Sequence, residues 1–442
     1  MPRVLLIAYY VPPAGGPAVQ RILQFVEFLQ QEGWQPEVLT VQKGVYPNRD
    51  PALLDKIPSG VRVHRTRALD PYAIYQAVTG KGEDDLPTGS MDEGQSWGER
   101  LAKWVRANVF IPDARVGWWP FAVARGRKLL ASGRFDAVLT SGAPQSVHLI
   151  GKALHHWTQV PWVADLHDPW TDVSYYDDLP HTAWARRLDA ALERSVLASA
   201  SAVTTVSPSW ADLFAGKASN RYAVVENGFS DSEFESVNEP LDDSFVLAHV
   251  GKLYASRNPT AVWKALARLR EKEAIPNLMV RLVGTVDPAV QRSIETLGLA
   301  PIVEKREFLP HTAAIRSMAR STLLLLVIEP FGEAEGMITS KLYEYLASER
   351  PVLGVGPSEG DAHALLREHE AGAVVDWADV DQAETILRAH YEAWADGTPR
   401  SGAHRASLSE HTRRYQARRM ASVLKEVTGQ EDGHPDVHFP SF

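Results

Sequence analysis

Cysteine is absent from this chain of 442 residues. Its absence excludes disulfides, thiolate nucleophiles and cysteine-held zinc or iron–sulfur centres together. Long apolar runs are absent too. The first run, residues 4–8, is too short for a signal peptide, and residues 323–328 fall far below the length that crosses a bilayer. A cytoplasmic protein without a spanning segment is expected. Positive charge is in deficit, since 46 Lys and Arg stand against 55 Asp and Glu for a net charge of −9. That balance argues against a nucleic-acid partner, whose phosphates need a concentrated positive surface. No H-E-x-x-H helix and no P-loop G-K-[ST] occurs, so neither a zinc protease nor a P-loop NTPase is indicated.

What the chain does have is rhythm. Short continuous apolar runs recur at residues 4–8, 37–41, 137–140, 161–165, 202–206 and 223–225, then at 246–250, 279–283, 323–328, 352–355 and 373–375. Unbroken apolarity is what a parallel strand covered on both faces requires. Helix-period segments lie between most of them. After the first run, Val19, Ile22, Leu23, Val26 and Leu29 share one stripe, and Gly33 stops the helix. The length exceeds what one core needs, so two α/β domains of roughly 200 residues each are expected.

The first domain is placed at 1–230. Residues 231–244, polar and acidic with Pro240, read as a solvated linker. The second domain is placed at 245–403. A basic amphipathic helix over 404–428 follows, with Arg413, Arg414, Arg418 and Arg419 grouped on a face that is either solvated or turned to a membrane. Residues 429–442 read as a tail. Residues 70–120 break the α/β rhythm and carry Trp97, Trp104, Phe110, Trp118 and Trp119 among Lys103, Arg106 and Arg115. Two readings are open: a helical subdomain that uses the aromatics as core, or an acceptor or membrane-surface site, because aromatics mixed with cations suit interfaces.

Several segments can carry chemistry. Pro12 to Pro17 holds Gly15 and Gly16 between a strand and a helix, where backbone amides and the helix N-terminus can meet an anion; any tight turn can use two glycines as well. Lys252 and Arg257 follow the run 246–250, at the strand edge where open α/β sheets bind ligands, and can neutralise a leaving diphosphate or simply sit in solvent. Ser340, Lys341 and Glu344 open a further helix, and Glu344 can pair with Lys341 or accept ribose hydroxyls. Asp165, His167, Asp168 and Trp170 cluster after the run 161–165, on the same edge as the first glycine turn.

In order along the chain, Tyr9 to Arg21, Pro161 to Trp170, Val203 to Ser207, Glu226 to Phe229, Gly251 to Tyr254 and Ser340 to Leu346 resemble the retaining GT-B glycosyltransferases of the family-4 type, particularly bacterial members that build surface polysaccharides. The resemblance implies two Rossmann-like domains facing a central cleft, with a hexose-type sugar moving from a UDP- or GDP-linked donor to a glycan, lipid-linked or small-molecule acceptor. It implies no cofactor and no metal. Gly15 and Gly16 would contact the donor phosphates, Lys252 and Arg257 would neutralise the departing diphosphate, Ser340 and Lys341 would belong to the donor site, and Glu344 would hold the ribose. His167 would touch the sugar, backbone at Phe308 and Leu309 would meet the base, and Asp165, Asp168 and Trp170 would lie on the acceptor side. One departure stands out. The family's paired-glutamate motif has its first carboxylate eight residues before the second, and that position is Gly336 here, with Glu333 and Glu335 as nearby substitutes. A GT-B epimerase and a catalytically silent sugar-nucleotide-binding protein remain the alternatives. A phosphorylase is disfavoured by the lack of a pyridoxal-type lysine segment.

Overall fold

A computed structural model describes residues 1–46, 48–69 and 97–430. The chain divides into two compact units: unit 1 is Met1–Glu226 with the residues from Ala417 onward, and unit 2 is Asn227–Gln416.

Unit 1 holds a parallel sheet of β1 (Arg3–Ile7), β2 (Gln35–Val41), β3 (Val63–Thr66), β4 (Ala137–Gly142), β5 (Trp162–Leu166), β6 (Ala202–Thr205) and β7 (Tyr222–Val224) in the order β3-β2-β1-β4-β5-β6-β7. β1 is central. Its Leu6 pairs with Val38 on one side and Leu139 on the other. Strand order reverses between β1 and β4, so the carboxyl ends of these two strands form the switch point at which such sheets take ligands.

Unit 2 repeats the plan with β8 (Phe245–Val250), β9 (Leu278–Val283), β10 (Val303–Arg306), β11 (Leu323–Val327), β12 (Val352–Val355) and β13 (Gly372–Val375), ordered β10-β9-β8-β11-β12-β13. Its switch point lies between β8 and β11. Alternate residues of one strand serve opposite cores: Val246 and Ala248 join Leu324, Leu326 and Tyr345, whereas Phe245 and Leu247 join Leu323, Leu325 and Trp263. Each buried Val, Leu or Phe side chain among these contributes roughly 1.5–3 kcal/mol. Covering both faces is therefore what makes the strands uniformly apolar.

β3 and β10 are strands that the apolar rhythm does not announce. Both are edges, and their sequences Val63-His-Arg-Thr66 and Val303-Glu-Lys-Arg306 are half exposed, so nothing demands continuous apolarity there. Residues 231–244 are not a solvated linker: Asp231–Phe234 is a short helix, and Phe229 and Phe234 are 1% and 0% exposed within the core of unit 2. At the other end, a tight turn over Arg405–His411 precedes a helix that begins only at Arg413, Arg413–Val427. Ala417, Met420, Ala421, Val423 and Leu424 of that helix pack with Val4, Leu6, Phe25 and Trp34 in the unit 1 core, so its apolar face is not available to a membrane. In the irregular region, residues 70–96 lie outside the described residues. Beyond them, Trp118 is buried and donates to Thr66 Oγ1 at 2.7 Å, as core, whereas Trp104 on the helix Trp97–Asn108 stays 45% exposed.

One charged contact organises unit 1. Arg21, on the helix Pro17–Gln31, is buried and donates from Nε and Nη2 to the two carboxylate oxygens of Asp165 at 2.9 and 2.7 Å. It also donates to the carbonyls of Val225 and Glu226. Breaking one side of a buried pair strands the other charge. Arg21→Met is expected to destabilise unit 1 by about 3–5 kcal/mol, read as a loss of hydrogen-exchange protection in unit 1 with unit 2 unchanged; equal protection in both units would contradict this assignment.

Candidate active site

At the carboxyl end of β8 the chain turns at Gly251, φ 124°, and a Cβ there would overlap Lys341 Cε and Nζ. The left-handed glycine thus makes room for a lysine ninety positions away. Lys341 stands at the start of the helix Ser340–Ala347, which is fastened to the same strand by a hydrogen bond from the Val250 amide to Tyr345 Oη at 3.0 Å. Burial, with the Arg257 charge added, pushes the Lys341 ammonium down to about 8, and Glu344 acts in the opposite sense. Arg257 sits in the turn Ala255–Arg257, with its guanidinium 3.4 Å from Glu329 Oε2 just past β11 and 5.9 Å from the Tyr254 ring. Lys252 is exposed. Switch-point geometry therefore brings Lys341 and Arg257 together, two cations held close with a single carboxylate on Arg257.

Below them, His249 is fully buried and kept neutral, its imidazole pushed down to about 3 by burial and by Lys341. Its Nδ1 donates to the Leu325 carbonyl at 2.9 Å, and its Nε2 makes no hydrogen bond within the distance and angle of a normal one among the described residues. Glu344 is raised by burial, an effect that His311 and Arg413 oppose. His311 Nε2 lies 3.9 Å from Glu344 Oε1 and 3.0 Å from Glu233 Oε2, and the Glu233 hydrogen bond raises His311. Phe308 is 89% exposed beyond the edge strand β10, and Leu309 packs partly against the unit 2 core. Gly336 is buried at the end of the turn Ala334–Gly336, with Glu333 half-buried and Glu335 exposed beside it.

Unit 1 carries its own cluster at the β1–β4 switch point. The Gly15 amide is already committed, donating to the Asn48 carbonyl at 3.0 Å, which removes it as a phosphate donor. Gly16 is different. At φ 109° it caps the helix Pro17–Gln31, no described atom lies within 4 Å of where its Cβ would be, and no described carbonyl accepts from its amide. The anion-binding reading of this turn therefore rests on Gly16.

Asp165 and Trp170 do not face an acceptor. Asp165 is wholly buried and accepts from Arg21, from Ser141 Oγ at 2.6 Å and from Thr204 Oγ1 at 2.7 Å; the Arg21 charge holds its carboxyl well below the usual range against its burial. Trp170 is 3% exposed, and its Nε1 donates to Asp189 Oδ1 at 2.7 Å. Asp168 is exposed. His167 follows β5, with Nε2 2.7 Å from Ser141 Oγ and 3.0 Å from Asp165 Oδ2. Ser141 is a site residue that sequence reading missed, because the apolar run ends at Thr140 and a serine at a strand end carries no signal of its own. His249, His311 and Glu329 escaped in the same way, each being a lone polar residue whose role needs a partner far along the chain. The letters G-x-S-x-G occur at Gly356 to Gly360, between β12 and the helix Asp361–Glu368, yet Ser358 lacks the positive φ of a nucleophile elbow and no described histidine bonds its hydroxyl. Among the described residues no three His, Asp or Glu side chains converge on a metal position, and no helix is long and apolar enough to cross a membrane.

Residues 15–228 match the family model of the glycosyl transferase 4-like domain. No curated protein gives a significant match. Sucrose-phosphate synthase from Thermosynechococcus elongatus superposes with a TM-score of 0.58 at 16% identity over 97% of each chain. HepE from Anabaena, solved in complex with UDP and glucose, gives 0.54 at 16% identity over 97% of each. A putative UDP-N-acetylglucosamine 2-epimerase from Listeria monocytogenes gives 0.52 at 11% identity over 99% of each. At these identities the likeness is one of fold.

Lys341 generates a test with a sign. Its folded value lies below its ordinary one, so the unfolded chain holds the proton more tightly; the ammonium costs stability below about pH 8, and that cost is relieved as pH rises toward the ordinary lysine value. An anion needs the ammonium. Lys341→Met is therefore expected to raise the melting temperature at pH 7 while weakening nucleoside-diphosphate binding at least tenfold, about 1.4 kcal/mol, and wild-type affinity is expected to fall above about pH 8. Calorimetry across pH 7 to 9.5 checks both. A pH-independent affinity would remove Lys341 from the site.

Proposed function

The chain has the GT-B fold and its residues 15–228 match the model of the glycosyl transferase 4-like domain, and from that premise we propose that it is a retaining, metal-independent glycosyltransferase that moves a hexose-type sugar from a UDP- or GDP-linked donor to a glycan or lipid-linked acceptor. The observation that carries this reading is the juxtaposition of Lys341 and Arg257 at the end of β8, with Lys252 next in sequence to Gly251. Two cations held close, one of them desolvated, form a place where a dianionic leaving group relieves repulsion instead of creating it. That service is what a metal otherwise provides.

In this reading Glu344 accepts the ribose hydroxyls, Ser340 sits at the helix start beside the phosphates, and backbone at Phe308 and Leu309 meets the base. Lys252 and Arg257 take up charge as the bond from the anomeric carbon to the diphosphate breaks. The sugar passes through an oxocarbenium-like state and is attacked by an acceptor hydroxyl from the face the leaving group vacates, the hydroxyl's proton passing to the departing diphosphate oxygen, which gives retention. In unit 1, Gly16 offers an amide to an anion, His167 touches a sugar hydroxyl and Asp168 belongs to the acceptor side. The protein works in the cytoplasm, with peripheral contact at the inner membrane face when the acceptor is lipid-linked; the exposed Trp104 and Trp184 of unit 1 support such a contact.

The proposal is tested by following a panel of UDP- and GDP-sugars with and without extracts of cell-envelope glycolipid and glycan. Nucleoside diphosphate is expected to appear only when an acceptor is present, equally in EDTA. Interconversion of donor sugars without acceptor would show the epimerase reading instead, and absence of affinity for every sugar nucleotide would leave neither.

A further inference from the structure

The atoms around His167 settle which of its ring nitrogens carries the proton. Nε2 lies 2.7 Å from Ser141 Oγ and 3.0 Å from Asp165 Oδ2. A carboxylate oxygen only accepts. Asp165 is a carboxylate here, since both its oxygens take hydrogen bonds from the buried Arg21 guanidinium. Ser141 has a single hydroxyl proton, and it is donated to Asp165 Oδ2 at 2.6 Å, so toward the ring the serine oxygen is an acceptor as well. Both neighbours of Nε2 therefore require a proton on it. Nδ1 has no hydrogen-bond partner among the described residues, and the side chain keeps 10% of its surface open.

From this geometry we infer that Asp165 and Ser141 are positioning residues that keep a proton on Nε2 of His167, so that in the uncharged ring Nδ1 is offered as a lone pair to a substrate hydroxyl and not as a donor to a phosphate oxygen. An alcohol on the transferred sugar or on the acceptor satisfies a bare imidazole nitrogen; a diphosphate, which has only acceptors, does not. The hydroxyl's identity rests on the transferase reading, whereas the tautomer does not. Arg21 is the remote member of the arrangement, because its charge keeps Asp165 an acceptor. Second-shell carboxylates that fix an imidazole in this way govern which nitrogen does the work.

Long-range proton–nitrogen correlation spectra of the full chain with labelled histidine read the tautomer directly, with a His167→Asn spectrum to assign the resonances. The proton is expected on Nε2, and a proton on Nδ1 overturns the inference whether or not any sugar is transferred. Ser141→Ala spares the Arg21–Asp165 pair and is expected to release part of the population to the Nδ1–H form; an unchanged ratio removes Ser141 from the role. In the activity arm, His167→Asn puts an amide oxygen where Nδ1 stood and is expected to keep kcat/KM within about tenfold, whereas His167→Gln, whose amide reaches toward Nε2, loses about a hundredfold. Better turnover by the Gln variant overturns the proposal. Donors and acceptors each lacking one hydroxyl identify the partner, because the analogue that loses activity with wild type but no further activity with His167→Ala has lost the hydroxyl that Nδ1 accepts from. Full additivity for every analogue shows that no hydroxyl pairs with it.

Discussion

A guanidinium that cannot reach water must find an acceptor for every proton it carries, and in unit 1 that requirement falls on Arg21. It meets Asp165 on β5 through two hydrogen bonds, reaches the carbonyls that follow β7, and lies 5.0 Å over the Phe25 ring of its own helix. The helix Pro17–Gln31 is thereby pinned in both rotation and height over the strand ends. Gly16, which caps it, can adopt only the position that this pin permits. Asp165 in turn collects Ser141 from β4, Thr204 from β6 and His167 from its own strand end. One buried charge pair thus coordinates three strands, a helix terminus and a histidine. Replacing such a pair by apolar residues is often neutral for stability, so its value lies in specifying one arrangement.

Unit 2 solves a different electrostatic problem. Its cations are held close and only partly compensated: Lys341 is desolvated and repelled by Arg257, while Glu344 offsets part of the first charge and Glu329 part of the second. The stability of the unit is lower for it while Lys341 keeps its proton. His249 underneath is kept neutral, so it adds no further positive charge to the site.

The parallel strands were legible because two-sided burial writes itself as unbroken apolarity, and the helix Pro17–Gln31 because its stripe repeats at helical spacing. β3 and β10 were illegible for the converse reason: an edge strand answers to solvent on one side, and Glu304, Lys305 and Arg306 satisfy it. Residues 231–244 misled because acidic side chains dominate the composition while Phe234, with Phe229 just before the segment, decides the packing. At the candidate site, residue type and strand-end position singled out Lys252, Arg257, Lys341, Glu344 and His167, of which the structure brings Arg257, Lys341 and Glu344 within one another's electrostatic reach and leaves Lys252 exposed. Burial divided the remaining candidates. Asp165 and Trp170 carry polar atoms that look functional in a sequence, yet each is fully satisfied inside the domain, and Gly15 spends its amide on a neighbouring loop.

The last helix has a consequence for how the protein comes to exist. Ala417, Met420, Val423 and Leu424 fill the same core as Val4, Leu6 and Phe25. A ribosome therefore delivers the first part of that core and must finish all of unit 2, residues 227–416, before delivering the rest. At 5–20 residues per second the interval is on the order of 10–40 s. During it the nascent sheet waits with an open apolar face, which makes this chain a natural client for whatever shields unfinished proteins at the exit tunnel.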